Sequence, residues 1–262
     1  MTAITGNPVP RVDGDSVWIR SFHRADRAPI TLVCFPHAGG SASFYFALSR
    51  ALSPAVEVLA VQYPGRQDRR NEPVVEDLGL LADKVYRALS GWTGRRFAFF
   101  GHSMGASVAF EVARRMEQAG GPVPELFFAS ARRSPSLPTD SRVRLMDDAG
   151  IVAELKRLSG TAAALFADPE LMAAAIPALR GDYTAIESYI AEPTATLDCP
   201  VHVFIGDVDP LTALDQAEAW RGHAAGAFDL SVFPGGHFYL ETWPAQVVEE
   251  IRERIRVTTG GI

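Results

Sequence analysis

The stretch that decides the fold is Arg96-Phe97-Ala98-Phe99-Phe100-Gly101-His102-Ser103-Met104-Gly105-Ala106, with the residues up to Gln118 that follow it. Phe97 to Phe100 are apolar without alternation, as in a strand covered on both faces. From Ala106 to Gln118 the apolar residues take helical spacing instead. Between the two patterns lies G-x-S-x-G, a turn from strand to helix tight enough to hold Ser103 in strained backbone geometry. Glycines at 101 and 105 are what let the strand and helix backbones pass so closely. Such a turn lifts the Ser103 hydroxyl to the edge of a sheet. It also sets the hydroxyl at a helix N-terminus, where developing negative charge is favoured.

The same strand-then-helix rhythm extends along the chain in both directions. Strand-like runs fall at Ser16–Phe22, Ile30–Phe35, Val56–Gln62, Glu125–Ala129, Val201–Ile205 and Asp229–Phe233. Helical patterns fall at Ser43–Leu52, Leu78–Ser90 and Leu214–Arg221. Alternation of this kind predicts a single α/β domain with a doubly wound, mostly parallel sheet, its ligand site along the C-terminal ends of the strands. The rhythm breaks over about 132–192, which opens on Ser134-Pro135-Ser136-Leu137-Pro138 and continues with helical patterns near Asp148–Leu158 and Pro169–Tyr189. It is too long for an ordinary crossover and reads as a helical lid over the strand ends.

A serine hydroxyl is a poor nucleophile and requires a base within hydrogen-bond reach. Of the six histidines, His237 follows the last strand run in Gly235-Gly236-His237-Phe238. This position completes the chain order Ser…Asp…His. The acid belongs after the strand Val201–Ile205, where the text reads Gly206-Asp207-Val208-Asp209-Pro210. Asp209 is preferred, since its side chain has room to swing to the imidazole; Asp207 is assigned to capping the turn. Oxyanion donors are expected at the backbone N–H of Met104 and of Ala38, in the loop Pro36-His37-Ala38-Gly39-Gly40. His37 is expected to line the pocket and His102 to point away from the serine. His23, His202 and His223 are assigned to the surface or core.

The bulk properties exclude several classes. A net charge of −6 over 262 residues gives no field for holding nucleic acid. No apolar run approaches the ~18 residues of a membrane span, and Met1–Pro10 lacks the pattern of a signal peptide. Cys34 and Cys199 sit in apolar runs and read as buried free thiols, which fits a reducing cytoplasm. No metal cluster, phosphate loop or dinucleotide fingerprint is present, so no cofactor is expected in the protein itself.

With these residues in view, the chain resembles the stand-alone type II thioesterases of polyketide and nonribosomal peptide assembly lines, over nearly its whole length. The matching text is Phe35-Pro36-His37-Ala38-Gly39-Gly40, Gln62-Tyr63-Pro64-Gly65-Arg66, the elbow, Gly206-Asp207-Val208-Asp209-Pro210 and Gly235-Gly236-His237-Phe238. The elbow alone is shared by many hydrolases; the Tyr-Pro-Gly-Arg run ahead of it is more specific. The resemblance implies an α/β-hydrolase fold with Ser103, Asp209 and His237 as triad and Ala38 and Met104 as oxyanion donors. It also implies hydrolysis of acyl groups from the phosphopantetheine thiol of carrier proteins, with Leu171–Tyr189 shaping the acyl pocket. Separately from the resemblance, a monomer is expected. Arg66, Arg69 and Arg70, with Arg132 and Arg133, are expected to meet the acidic carrier and its phosphate. The rival readings are a general carboxylester hydrolase, a cyclising terminal domain and a non-catalytic protein on the same scaffold.

Overall fold

The computed structural model describes residues 17–89, 95–158, 169–241 and 243–260. The N-terminal segment read for a signal peptide lies outside them, as do Ser16 at the start of the first strand run, Ser90 at the end of the 78–90 helical pattern, and part of the insertion. Seven strands form one sheet in the order β1-β3-β2-β4-β5-β6-β7. They are β1 (Ile19–Ser21), β2 (Thr31–Phe35), β3 (Glu57–Val61), β4 (Phe97–His102), β5 (Phe127–Ser130), β6 (Val201–Gly206) and β7 (Phe228–Phe233). All pairings are parallel except β1 with β3. Each of the seven strand runs expected from the sequence is therefore occupied. The short β1 is the one antiparallel exception and lies at the sheet edge.

Every residue of β2, β3, β4, β5 and β6 is buried, which is why these runs show no polar alternation. One face is covered by α2 (Leu78–Leu89) and α3 (Met104–Gln118), which pack on Val33, Phe35, Phe99 and Phe127. The other face is covered by α1 (Phe46–Leu52) and the C-terminal α7 (Ala245–Thr258), over Leu32, Cys34, Phe100 and Phe204. The large side chains of β4 are almost wholly buried on both faces. Each contributes roughly 1.5–3 kcal/mol of transfer free energy, and together they fix the strand that carries the serine. Cys34 and Cys199 are buried and unbonded; burial raises both thiols, Cys199 to about 12.

Between β5 and β6 the chain leaves the sheet. It passes through a 3-10 turn at Val143–Leu145, then α4 (Asp148–Leu158) and α5 (Pro169–Glu187), before the short α6 (Leu214–Glu218) that follows β6. Among the described residues of the insertion, α4 and α5 share a small apolar cluster of their own, including Ile151, Leu155, Met172, Ile176 and Leu179. Glu187 ties the turn to α5, accepting from Ser141 Oγ at 2.5 Å and Val143 N at 2.8 Å.

Candidate active site

The elbow is tighter than the sequence reading allowed. β4 runs through His102 and α3 begins at Met104, not Ala106, so Ser103 alone makes the turn. Periodicity could not place that boundary, because the first helical residues are buried by the sheet and carry no amphipathic signal. Ser103 sits at φ 54°, ψ −121°, a region that costs a non-glycine residue about 1–3 kcal/mol. The surroundings enforce it: Ser103 N–H donates to Ser130 O on β5 at 2.8 Å. A Cβ at Gly105 would lie 2.0 Å from Phe35 O, and one at Gly101 would lie 2.4 Å from Ala106 Cα.

His237 comes from the loop after β7, and its Nε2 is 2.9 Å from Ser103 Oγ. Its Nδ1 is 3.0 and 3.1 Å from the two carboxylate oxygens of Asp209, which follows β6. Both side chains are nearly inaccessible, 3% exposed for His237 and 0% for Asp209. Asp209 is oriented in turn by Leu211 N–H at 2.8 Å. The preference over Asp207 agrees with this geometry: Asp207 is exposed and accepts Gly235 N–H at 2.8 Å, capping the turn.

Ser103, His237, Ala38 and Met104 line one cavity of about 510 Å³. The insertion supplies its far wall through Val143, Tyr183, Ile186 and Glu187. Met104 is the first residue of α3, so its N–H has no intrahelical acceptor. No partner for Ala38 N–H occurs among the described residues. Four arginines, 132, 133, 142 and 157, also border the cavity. Arg132 donates Nε to Ser107 Oγ at 3.1 Å; burial and the neighbouring Arg133 lower its guanidinium to about 10, so it stays cationic.

Three sequence expectations fail on burial. Arg66 and Arg69 are 7% and 5% exposed and are spent on internal partners, so neither can meet a carrier. Arg69 pairs with Glu72, donates to Gln62 O at 2.7 Å and lies over the Trp18 ring. Arg66 pairs with Asp182 of α5 through two bonds of 2.6 and 2.9 Å. Burial pulls its pKa down, but Asp182 outweighs that and holds the guanidinium above its ordinary value. His37 does not line the cavity. Its ring packs behind the loop against Phe44, Phe238 and His102, and Nδ1 donates to Ala38 O at 2.9 Å. Charge composition alone could not tell a docking arginine from a buried one. The signal for Asp182 was present, however: it sits in the buried stripe Leu179, Asp182, Ile186 at helical spacing, the one polar residue there.

His102 points away from the serine, as expected. It bonds Ser130 Oγ, which bonds Tyr239 Oη at 2.6 Å. Burial lowers four imidazoles: His37 to about 4, His202 to about 4, His102 well below its ordinary value, and His223 in the same direction. The unfolded chain binds protons at these positions below its pKa of 6.5 and the folded chain does not. The contribution of these rings to stability therefore rises with pH between about 4 and 6.5 and is constant above that window. Each ring contributes at most about 1.4 kcal/mol per pH unit in that window. The melting temperature is expected to hold from pH 8 to 7 and to drop as pH goes from 6.5 to 5. His202→Gln should flatten that slope; an unchanged slope would exclude the ring as a contributor.

A serine, a histidine and a carboxylate hydrogen-bonded in series at the ends of β4, β7 and β6 is the arrangement of the α/β-hydrolases. The chain belongs to the thioesterase family: the family model for the thioesterase domain matches residues 30–255. It is 50% identical to the probable cadicidin biosynthesis thioesterase of Streptomyces griseus, over 95% of this chain and 69% of that one. It is 49% identical to thioesterase PikA5 of Streptomyces venezuelae, over 93% and 87%. The solved structure of BorB, a type II thioesterase from the borrelidin biosynthetic cluster, is 45% identical, with a TM-score of 0.85 over 95% of this chain and all of that one. A lipase-esterase related protein from Clostridium acetobutylicum, at 16% identity and a TM-score of 0.71 over 90% and 98%, shares the fold.

Proposed function

We propose that the protein hydrolyses acyl thioesters carried on the phosphopantetheine arm of carrier proteins, clearing stalled or misprimed acyl groups in polyketide or nonribosomal peptide synthesis. The observation that carries this reading is the closed series Ser103–His237–Asp209 at the floor of a cavity walled by the insertion helices. Ser103 Oγ attacks the thioester carbonyl while His237 Nε2 takes its proton. Asp209 holds the tautomer with Nδ1–H directed at itself and stabilises the imidazolium. The N–H groups of Met104 and Ala38 receive the oxyanion, at the N-terminus of α3. The thiol leaves with the proton from His237, and water activated by the same ring cleaves the acyl-serine ester. The insertion acts as a lid that shapes the acyl pocket. The enzyme works as a cytoplasmic monomer without a cofactor of its own; among the described residues no helix is long and apolar enough to cross a membrane.

The deciding experiment is mass spectrometry of a panel of acylated carrier proteins after incubation with the enzyme. Free carrier thiol and a transient acyl-enzyme are expected. Faster turnover of a simple aryl ester than of any acyl-carrier would favour a general carboxylester hydrolase. With Arg66 and Arg69 buried, carrier docking passes to the exposed rim, where Arg142 borders the cavity mouth. Arg142→Glu should raise KM for acyl-carrier about 3- to 10-fold at low salt, with the difference shrinking as salt is added. Turnover of an acyl N-acetylcysteamine thioester should not change. Equal effects on both substrates would remove the rim from the docking surface.

A further inference from the structure

We infer that Arg66 and Asp182 are positioning residues for the oxyanion donor Ala38, so that the insertion helix α5 and the oxyanion loop act as one unit. The inference rests on the hydrolase mechanism proposed above. The peptide joining Ala38 to Gly39 is held from both sides. Its N–H, that of Gly39, donates to Asp182 Oδ2 at 2.7 Å. Its carbonyl, that of Ala38, accepts from His37 Nδ1 at 2.9 Å. With this plane fixed, the preceding N–H of Ala38 has a set direction at the cavity that also holds Ser103.

Asp182 does not come from the sheet. It projects from α5, whose next turns put Tyr183 and Ile186 on the cavity wall and whose preceding turn packs Leu179 on Gly39. A Cβ at Gly39 would lie 2.3 Å from Leu179 Cδ2, so helix and loop meet with no space between them. Arg66 completes the clamp. Its Nη1 donates both to Asp182 Oδ2 at 2.6 Å and to Gly40 O at 3.1 Å. Its Nε is anchored on Pro64 O at 3.1 Å. Upstream in the same run, Gln62 Oε1 accepts Ala42 N–H at 2.8 Å, and Gln62 Nε2 donates to Arg66 O at 3.3 Å. The run Gln62-Tyr63-Pro64-Gly65-Arg66 is thus a cradle for residues 39–42, and Asp182 is its bolt from the insertion. A donor displaced by a fraction of an ångström loses much of its hold on the transition state while ground-state binding is spared.

The test compares wild type with Asp182→Leu, Asp182→Asn, Arg66→Met and the double variant Arg66→Met/Asp182→Leu. The double replaces a buried ion pair with apolar side chains of similar volume, a change often neutral for stability. It keeps the question open to measurement even where a single variant with one buried charge fails to fold. Three quantities are read besides melting temperature: kcat against KM, the Ki of a trifluoromethyl ketone that adds to Ser103 and presents an oxyanion, and the Kd of the matching thioether that presents none. In Asp182→Leu and in the double, kcat should fall roughly 10- to 100-fold with KM within about twofold. Ki should rise by the same factor, thioether Kd should hold, and the restored stability of the double should not restore kcat. Asp182→Asn, which keeps an acceptor for Gly39 N–H, should recover part of kcat. A folded double with kcat within about threefold of wild type, or an unchanged ratio of Ki to thioether Kd, overturns the inference. A wild type that fails to hydrolyse thioesters and prefers the thioether to the ketone overturns the underlying mechanism instead.

Discussion

Ser103→Ala leaves a folded protein whose thioester turnover is lower by about 10⁴- to 10⁶-fold, the range seen when a triad serine is removed and only binding and the oxyanion donors remain. The fold is spared because neither the cavity nor the Ser103 N–H to Ser130 O bond depends on the hydroxyl. The backbone strain is spared too, since alanine at φ 54° is no more comfortable than serine. That sets up an internal control. Ser103→Gly removes the same hydroxyl but also relieves the strain. The relief, about 1–3 kcal/mol, competes with the extra chain entropy glycine gains on unfolding, about 0.4–1 kcal/mol. Strain wins, so the glycine variant should be more stable than the alanine variant by about 1 kcal/mol, or roughly 2–4 °C in melting temperature. The two variants should be equally inactive in single-turnover assays. Retained turnover in either would remove Ser103 as the nucleophile. A glycine variant less stable than the alanine variant would mean that the turn is not strained.

Among the described glycines, Gly105 offers an added methyl the closest backbone contact, so Gly105→Ala should be severely destabilising. Gly105 is not at positive φ, so the effect is steric alone. The added carbon would sit 2.0 Å from Phe35 O and 2.6 Å from Pro36 O, both backbone atoms at the end of β2. Neither can yield as a flexible side chain would. Relief requires α3 to move off β2, through a core in which eleven residues of α3 are buried. A loss of about 3 kcal/mol or more is expected, near the top of the range for overpacking, with a fall of about 10 °C in melting temperature. The control is Gly222→Ala, where nothing lies within 4 Å of the new carbon and φ is not positive. It should be neutral or slightly stabilising. Any Gly105→Ala protein that folds should also lose activity, because Phe35 and Pro36 lead directly into the loop of Ala38. Comparable melting temperatures for the two variants would show that the elbow has slack the geometry does not suggest.

The legible part of the fold was its rhythm. Strands sandwiched between helices have both faces buried, so β2, β4 and β6 had to be apolar runs whatever their neighbours. The serine announced itself because its turn demands glycines at two fixed offsets. Asp209 and His237 could be chosen because the order along the chain limits where each belongs, and the loops that carry them follow strand runs. The boundaries were less legible. Met104 and Gly105 are helical but buried on every side, so no periodicity marks them, and β1 shrank to three residues at the sheet edge.

Local text fixed what local geometry requires: the alternation of elements, the tight turn at Ser103, and the residue types of the triad. Tertiary structure alone decided the fate of the charged and polar residues. Arg66 and Arg142 carry the same side chain, yet one is locked to Asp182 across 116 positions of sequence and the other stands at the rim. The reason is physical: backbone conformation answers to near neighbours, whereas the state of a charge depends on what the fold brings within a few ångströms of it and on how much water that leaves.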